Sequence, residues 1–185
     1  MGEYGTSGKW LELIKEIAAF LRRVAILRDP SIASGSGQLG AIQSVAPSLG
    51  IESRPYGLRN PEEIERDLGA FAREPNGGLI VPGSGLAVVH RDLIVTLAAR
   101  HRLPAVYFQR FFVASGGLVS YGPNFLEQYR QAAGYVDRVL RGEKPGNMPV
   151  LAPTRYELAV NLKTAKALGL TIPPAVLARA DEVME

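Results

Sequence analysis

The chain contains no cysteine and only two histidines among its 185 residues. Without a thiol it can form neither a disulfide nor a thiolate zinc site. The two histidines, His90 and His101, are too few for a convincing metal site, and we interpret both as surface or capping residues. The sequence therefore predicts no bound metal and no other cofactor.

Long apolar runs and clusters of basic residues are also missing. No segment reaches the roughly 20 apolar residues that a transmembrane helix requires. The first ten residues, MGEYGTSGKW, lack the charged and apolar regions of an export signal. The net charge is only +3, from 21 basic and 18 acidic residues, and basic residues never occur more than two in a row. We therefore expect no nucleic-acid binding.

What the chain does contain is an alternation of short apolar strands with helices. Hydrophobic residues make up 46% and charged residues 21% of the sequence, as in an ordinary soluble domain with a core. Strands are predicted near Val24, Ile51, Leu79 and Ala105. Because helices separate these strands, the pattern predicts a doubly wound α/β fold with a parallel sheet.

The helices have recognisable start and end signals. They are predicted over residues 9–21, 37–49, 61–73 and 86–100. Ser7 and Asn60 are the expected N-caps of the first and third helices, and Pro61 occupies the favoured first helical position. After the fourth strand, the sequence predicts a turn, a further short strand, a long amphipathic helix and one more strand and helix.

Three loops follow predicted strands and are candidate ligand-binding loops, because ligands of such sheets bind outside the carboxyl ends of the strands. The first loop offers hydroxyls and backbone amides for an anion, and the second places a serine between glycines. The third combines aromatic rings with one guanidinium, which suits a small ligand with a ring and a carboxylate. The candidate residues are Asp29, Ser31, Ser34 and Ser36, then Ser84 and Gly85, then Tyr107, Phe108 and Arg110.

No catalytic grouping is recognisable in the sequence. The segment Gly83-Ser84-Gly85 lacks the spacing of a phosphate-binding loop, and no acid–base partner supports Ser84 as a nucleophile. Loops of this composition are also common as simple turns. The residues therefore favour non-enzymatic binding of a small molecule. A ligand-sensing or assembly module and, less favoured, a small hydrolase are the alternatives.

Several segments, in order and spacing, carry a family resemblance. They include RVAILRDP, PNGGLIVPGS, HRDLIVTLAARHRLPAVY and QAAGYVDRVLRGEKPGNMPV. Over about residues 8–185 the chain resembles ABC transporter substrate-binding proteins of the TrpX-like type. The resemblance implies the type I periplasmic fold of two α/β lobes, which bind a small molecule, in some cases an aromatic amino acid, and deliver it to a membrane permease.

The resemblance also implies a division of the chain. Residues 8–108 and 156–185 resemble the second lobe, whereas the crossover segment, from Gln109 to Pro153, would normally pack onto the first lobe. A complete member begins with a signal peptide and most of the first lobe, so we expect this version to lack both. The resemblance implies a periplasmic location, and the sequence as given would suit a cytoplasmic protein or a cloned fragment.

The crossover segment leads to an expectation about assembly. Its amphipathic helix places Leu126, Tyr129, Val136 and Leu140 on one stripe, which a missing first lobe would leave in water. Apolar patches of this kind usually mark an interface. We therefore expect a homodimer through residues 109–153. The alternative is that this segment folds back onto its own lobe.

Overall fold

A seven-stranded sheet forms the centre of the molecule in the computed structural model, which describes residues 2–185, with side chains from residue 5 onward. Its strands are β1 (Arg23–Arg28), β2 (Glu52–Gly57), β3 (Gly77–Val81), β4 (Ala105–Tyr107), β5 (Val119–Pro123), β6 (Tyr156–Asn161) and β7 (Glu182–Met184). The strand order is β2-β1-β3-β4-β5-β6-β7. The first five strands pair in parallel, β6 is antiparallel to β5, and β7 is parallel to β6. The predicted α/β fold and its four parallel strands are confirmed.

Helices connect the strands. They are α1 (Gly2–Ile17), α2 (Ala33–Val45), α3 (Pro61–Phe71), α4 (Gly85–Val89), α5 (Arg91–Arg100), α6 (Arg110–Ala114), α7 (Phe125–Leu140), α8 (Leu162–Ala167) and α9 (Pro174–Leu177). Short 3₁₀ turns, Ala46–Leu49 and Pro145–Asn147, follow α2 and α7. Among the helices of the described part of the chain, none is long and apolar enough to cross a bilayer.

The predicted helix caps and helix bounds were correct in part. The side chain of Asn60 accepts a hydrogen bond from the backbone N–H of Glu63, so this N-cap is confirmed. Ser7 is not an N-cap, because α1 already contains it and its side chain is fully buried. The fourth predicted helix is two helices, α4 and α5, which meet at His90.

The core lies on both faces of the central strands. In β1 and β3 nearly every residue is buried, as expected for strands covered by helices on both sides. Helix α1 contributes an apolar stripe that includes Trp10 and Ile14, and Leu21, in the turn after the helix, is also buried. Strand β2, at the edge of the sheet, has no buried residue.

The crossover segment consists of two different parts. Residues 109–123 belong to the sheet, because they form α6, with Phe112 and Val113 buried, and β5. Residues 124–155 then leave the sheet between the paired ends of β5 and β6, where Pro123 lies opposite Tyr156. Helix α7 forms half of this excursion and has no buried residue.

Candidate functional site

A cavity of about 380 Å³ opens at the carboxyl ends of β1 and β3. These two strands are neighbours at the point where the strand order reverses, and crevices at such points are the usual ligand sites of parallel α/β sheets. The loop after β1 leads into the first turns of α2, which supply Ser34 and Gln38 to the lining. The loop after β3 supplies Gly83 and Ser84, and the start of α4 supplies Gly85.

Aromatic side chains form much of the remaining wall. Trp10, Phe108, Phe125 and Tyr156 all line the cavity. The indole N–H of Trp10 donates a hydrogen bond of 2.6 Å to the carbonyl oxygen of Tyr121, which fixes the ring. Because Trp10 and Phe108 are buried in the apolar core as well, this part of the wall is formed before any ligand arrives.

The ring of Phe108 has contacts on two sides. It meets Phe112 in an edge-to-face arrangement, with the ring centroids 5.5 Å apart. On the other side it lies against the loop after β3, where a β-carbon added at Gly83 would come 3.0 Å from the ring. Glycine at this position therefore lets the loop pack closely on the aromatic wall.

Ser84 combines a structural contact with a free donor. Its hydroxyl oxygen accepts a hydrogen bond of 3.1 Å from the backbone N–H of Ala87 and so caps α4. The hydroxyl proton is not used in this contact, and it can donate to a molecule in the cavity. Ser34 is half-buried and also presents a hydroxyl there.

Asp29, Ser31 and Ser36 do not line this cavity. The buried carboxylate of Asp29 accepts hydrogen bonds from the backbone N–H of Ser31 at 2.9 Å and from its hydroxyl at 2.6 Å. These two residues shape the loop after β1 rather than the surface of the cavity. Ser36 is exposed.

Tyr107 and Arg110 are placed differently from the expectation. Tyr107 is 1% exposed and stacks on Phe112 at 4.9 Å, and burial raises the pKa of its hydroxyl far above the usual value. Neither residue is part of the cavity lining. Arg110 instead pairs with Glu182 of β7, to which its Nε and Nη2 atoms donate hydrogen bonds of 2.8 and 2.7 Å. The guanidinium already has a carboxylate partner, and its assignment as a ligand group stays a prediction.

Sequence reasoning missed several lining residues, above all Gln38. This side chain lies on the buried stripe of α2 together with Ile42 and is only 8% exposed. The sequence did contain a signal for Gln38, because it is a polar residue on an otherwise apolar face of the helix. Trp10 was predicted to face the core, but nothing in its position in α1 indicated that it also reaches a cavity beside β3.

The cavity lining has no charged side chain among the described residues. Its polar groups are hydroxyls, amides and backbone groups. No group of three or more His, Asp or Glu residues in the part of the chain described is arranged to hold a metal ion. The arrangement is suited to enclosing a largely apolar molecule and hydrogen-bonding it.

A second cavity, of about 760 Å³, is an open groove beside α7. The chain that returns from α7 to β6 forms its other side, and the Tyr135 hydroxyl holds this chain by donating a hydrogen bond of 2.7 Å to the carbonyl oxygen of Pro149. Gln128 and Pro153 line both cavities, so the groove adjoins the candidate ligand site.

A parallel α/β sheet with a crevice at the strand ends defines a class of ligand-binding lobes. The model of one family, ABC transporter substrate binding protein, matches residues 6–184. The chain belongs to this family, which confirms the resemblance found in the sequence. The family description names a binding protein, in agreement with the prediction of a non-enzymatic chain. No curated protein sequence matches the chain.

Solved structures show the same fold. A conserved domain protein from Vibrio cholerae is similar with a TM-score of 0.87 and 24% identity, over 96% of this chain and 60% of that one. An ABC domain from Streptococcus pneumoniae in complex with L-Trp has a TM-score of 0.86 and 22% identity, over 96% and 62%. A ligand-free, open substrate-binding protein from Clostridium difficile has a TM-score of 0.70 and 22% identity, over 95% and 59%. The chain thus spans about 60% of the length of these structures.

Proposed function

We propose that this chain binds a small molecule at the crevice between the ends of β1 and β3, as the substrate-binding component of an ABC transporter. The observation that carries the proposal is the preformed aromatic cavity at the reversal of strand order, in a chain of the substrate-binding family. The partner that receives the ligand is a membrane permease, and the protein works on the outer side of the cytoplasmic membrane.

The proposed ligand has an aromatic or apolar body and a carboxylate, as an aromatic amino acid does. Trp10, Phe108 and Tyr156 would contact the body, and the hydroxyls of Ser34 and Ser84 would hydrogen-bond the polar end. Phe108, Ser34, Ser84 and Gly85 are the residues predicted from the sequence that line this cavity. The L-Trp bound to the Streptococcus pneumoniae structure supports this ligand class.

Titration calorimetry with L-tryptophan, L-phenylalanine and L-alanine, each up to millimolar concentration, tests the proposal. We expect both aromatic amino acids to bind more tightly than L-alanine. Replacing Phe108 by leucine should weaken their binding about five- to ten-fold, because part of the aromatic contact is lost. Phe20→Leu is the matched control, since Phe20 is exposed and does not line the cavity.

Two results would contradict the proposed function. One is a lack of heat and of thermal stabilisation with all three amino acids. The other is equal affinity of the wild type and Phe108→Leu for both aromatic ligands. If the wild type hydrolysed a small substrate and Ser84→Ala abolished this activity, the result would instead support the hydrolase alternative.

We also propose that the chain forms a homodimer through residues 109–153, with α7 and the returning chain as the contact. Support comes from the exposed apolar side chains along this excursion, which include Tyr129 at 74% and Leu140 at 82% exposure. In the alternative, the segment folds back onto its own lobe; Phe125 and Gln128 of α7 do reach the cavity of the lobe, but no residue of α7 is buried there.

A further inference from the structure

Gln38 is a buried polar residue without a complete set of partners. Its side chain is 8% exposed and lines the cavity at the carboxyl ends of β1 and β3. The amide oxygen Oε1 is shielded from solvent and accepts no hydrogen bond from any described residue. Buried polar side chains are almost always hydrogen-bonded, so an exception at a cavity wall calls for an explanation.

The surroundings of Gln38 indicate what kind of group would satisfy it. Ser34 precedes it by one helical turn and lines the same cavity, so both side chains lie on one face of α2. The aromatic rings of Trp10 and Phe108 belong to the same lining, and none of the described lining residues is charged. A ligand ammonium beside this oxygen would find no carboxylate in the lining, so an uncharged N–H or O–H donor suits the site better, carried on a ring that packs against Trp10 and Phe108.

We propose that Gln38 determines specificity by turning its amide oxygen toward the cavity, where it accepts a hydrogen bond from an N–H or O–H group on the aromatic part of the ligand. This inference rests on the proposed function, since it assigns one contact within the same cavity. It separates ligands with a ring donor, such as an indole or a phenol, from those without one. A site built around such a contact rejects an analogue that lacks the donor, because the polar group of the protein then stays unpaired.

Calorimetry with L-tryptophan and 1-methyl-L-tryptophan tests the contact, because the methyl group removes the ring N–H and keeps the rest of the ligand. The wild type should bind L-tryptophan at least about ten-fold more tightly than the methylated compound. In Gln38→Leu this preference should fall to about one. Gln43→Leu is the matched control, because Gln43 is exposed on the same helix and lies outside the cavity lining.

A second measurement separates this role from a purely structural one and needs no ligand. An unpaired buried oxygen destabilises the folded protein, so Gln38→Leu should unfold in urea at the same or a higher concentration than the wild type. A residue that held α2 in place through hydrogen bonds would give the opposite result.

The possible failures are distinguishable. If the wild type binds neither tryptophan compound, the proposed ligand is wrong and this inference falls with it. If the wild type binds both equally, or Gln38→Leu keeps the preference, the inference alone is wrong and the binding function stands. A loss of stability in Gln38→Leu that Gln43→Leu does not show would also overturn it.

Discussion

Individual glycines determine how closely the chain can pack around Phe108. Gly122 in β5 is buried, and a β-carbon added there would lie 1.9 Å from the carbonyl oxygen of Phe108. Such a distance is far below van der Waals contact, and the obstacle is backbone rather than the end of a flexible side chain. Strand β5 and the end of β4 can therefore approach each other only with glycine at this position.

We expect Gly122→Ala to lower the free energy of unfolding by at least about 2 kcal/mol, because the backbone must move apart. Urea unfolding followed by circular dichroism measures this change. Gly134→Ala is the control: Gly134 lies in exposed α7 with open space around it, so alanine there should leave stability equal or raise it. Equal effects of the two substitutions would show that the close approach at Gly122 does not exist in solution.

At the scale of elements, Arg54 joins edge strand β2 to the turn before β3. Its guanidinium donates hydrogen bonds to Glu52 at 2.7 Å and to Glu74 at 2.8 Å. These hydrogen bonds lower the pKa of both carboxyl groups from the ordinary value of 4.5. All three groups are solvent-accessible, so the contribution to stability is small and sensitive to salt.

The lowered pKa values fix the sign of a pH effect. A carboxyl group whose pKa is lower in the folded than in the unfolded state stabilises the fold above its unfolded pKa and loses this effect as the pH falls through the folded value. Arg54→Gln should therefore be less stable than the wild type at pH 7, and the difference should shrink as the pH falls below 4.5 and through the lower folded pKa values. Arg59→Gln is the control, because Arg59 has no ion pair among the described residues. Its stability difference from the wild type should not change with pH in this way.

The sequence predicted elements more reliably than their boundaries. Caps with a local mechanism, such as Asn60 before Pro61, could be recognised because donor and acceptor lie three residues apart. The break at His90 was missed because the apolar pattern continues through it. Ser7 was wrongly predicted to be an N-cap because nothing in the neighbouring sequence shows that α1 begins several residues before it.

At the scale of the whole molecule, the sheet was predictable and the candidate site only in part. The loops after β1 and β3 were identified by topology alone, which accounts for Ser34 and Ser84. A single sequence could not pair Arg110 with Glu182, because the two residues are 72 positions apart and meet only through β7. In the same way, Trp10 and Tyr156 reach the cavity from opposite ends of the chain, so no local pattern could place them there.

The excursion between β5 and β6 leads to the final prediction. Tyr129 and Val136 are seven residues apart on α7, which puts them on one face, and they are 74% and 58% exposed. Burial of this face against a second copy would gain about 25 cal/mol per Å² of apolar surface, offset by the entropy lost on association. We expect the wild type to elute as a dimer at micromolar concentration, and the double variant Tyr129→Asp, Val136→Asp to become monomeric or to aggregate. Light scattering after gel filtration measures the mass directly.

A control with the same added charge, Gln43→Asp with Thr96→Asp, alters exposed positions on α2 and α5 and should remain dimeric. A wild-type mass near 20.0 kDa would refute the dimer, since that is the mass of one chain.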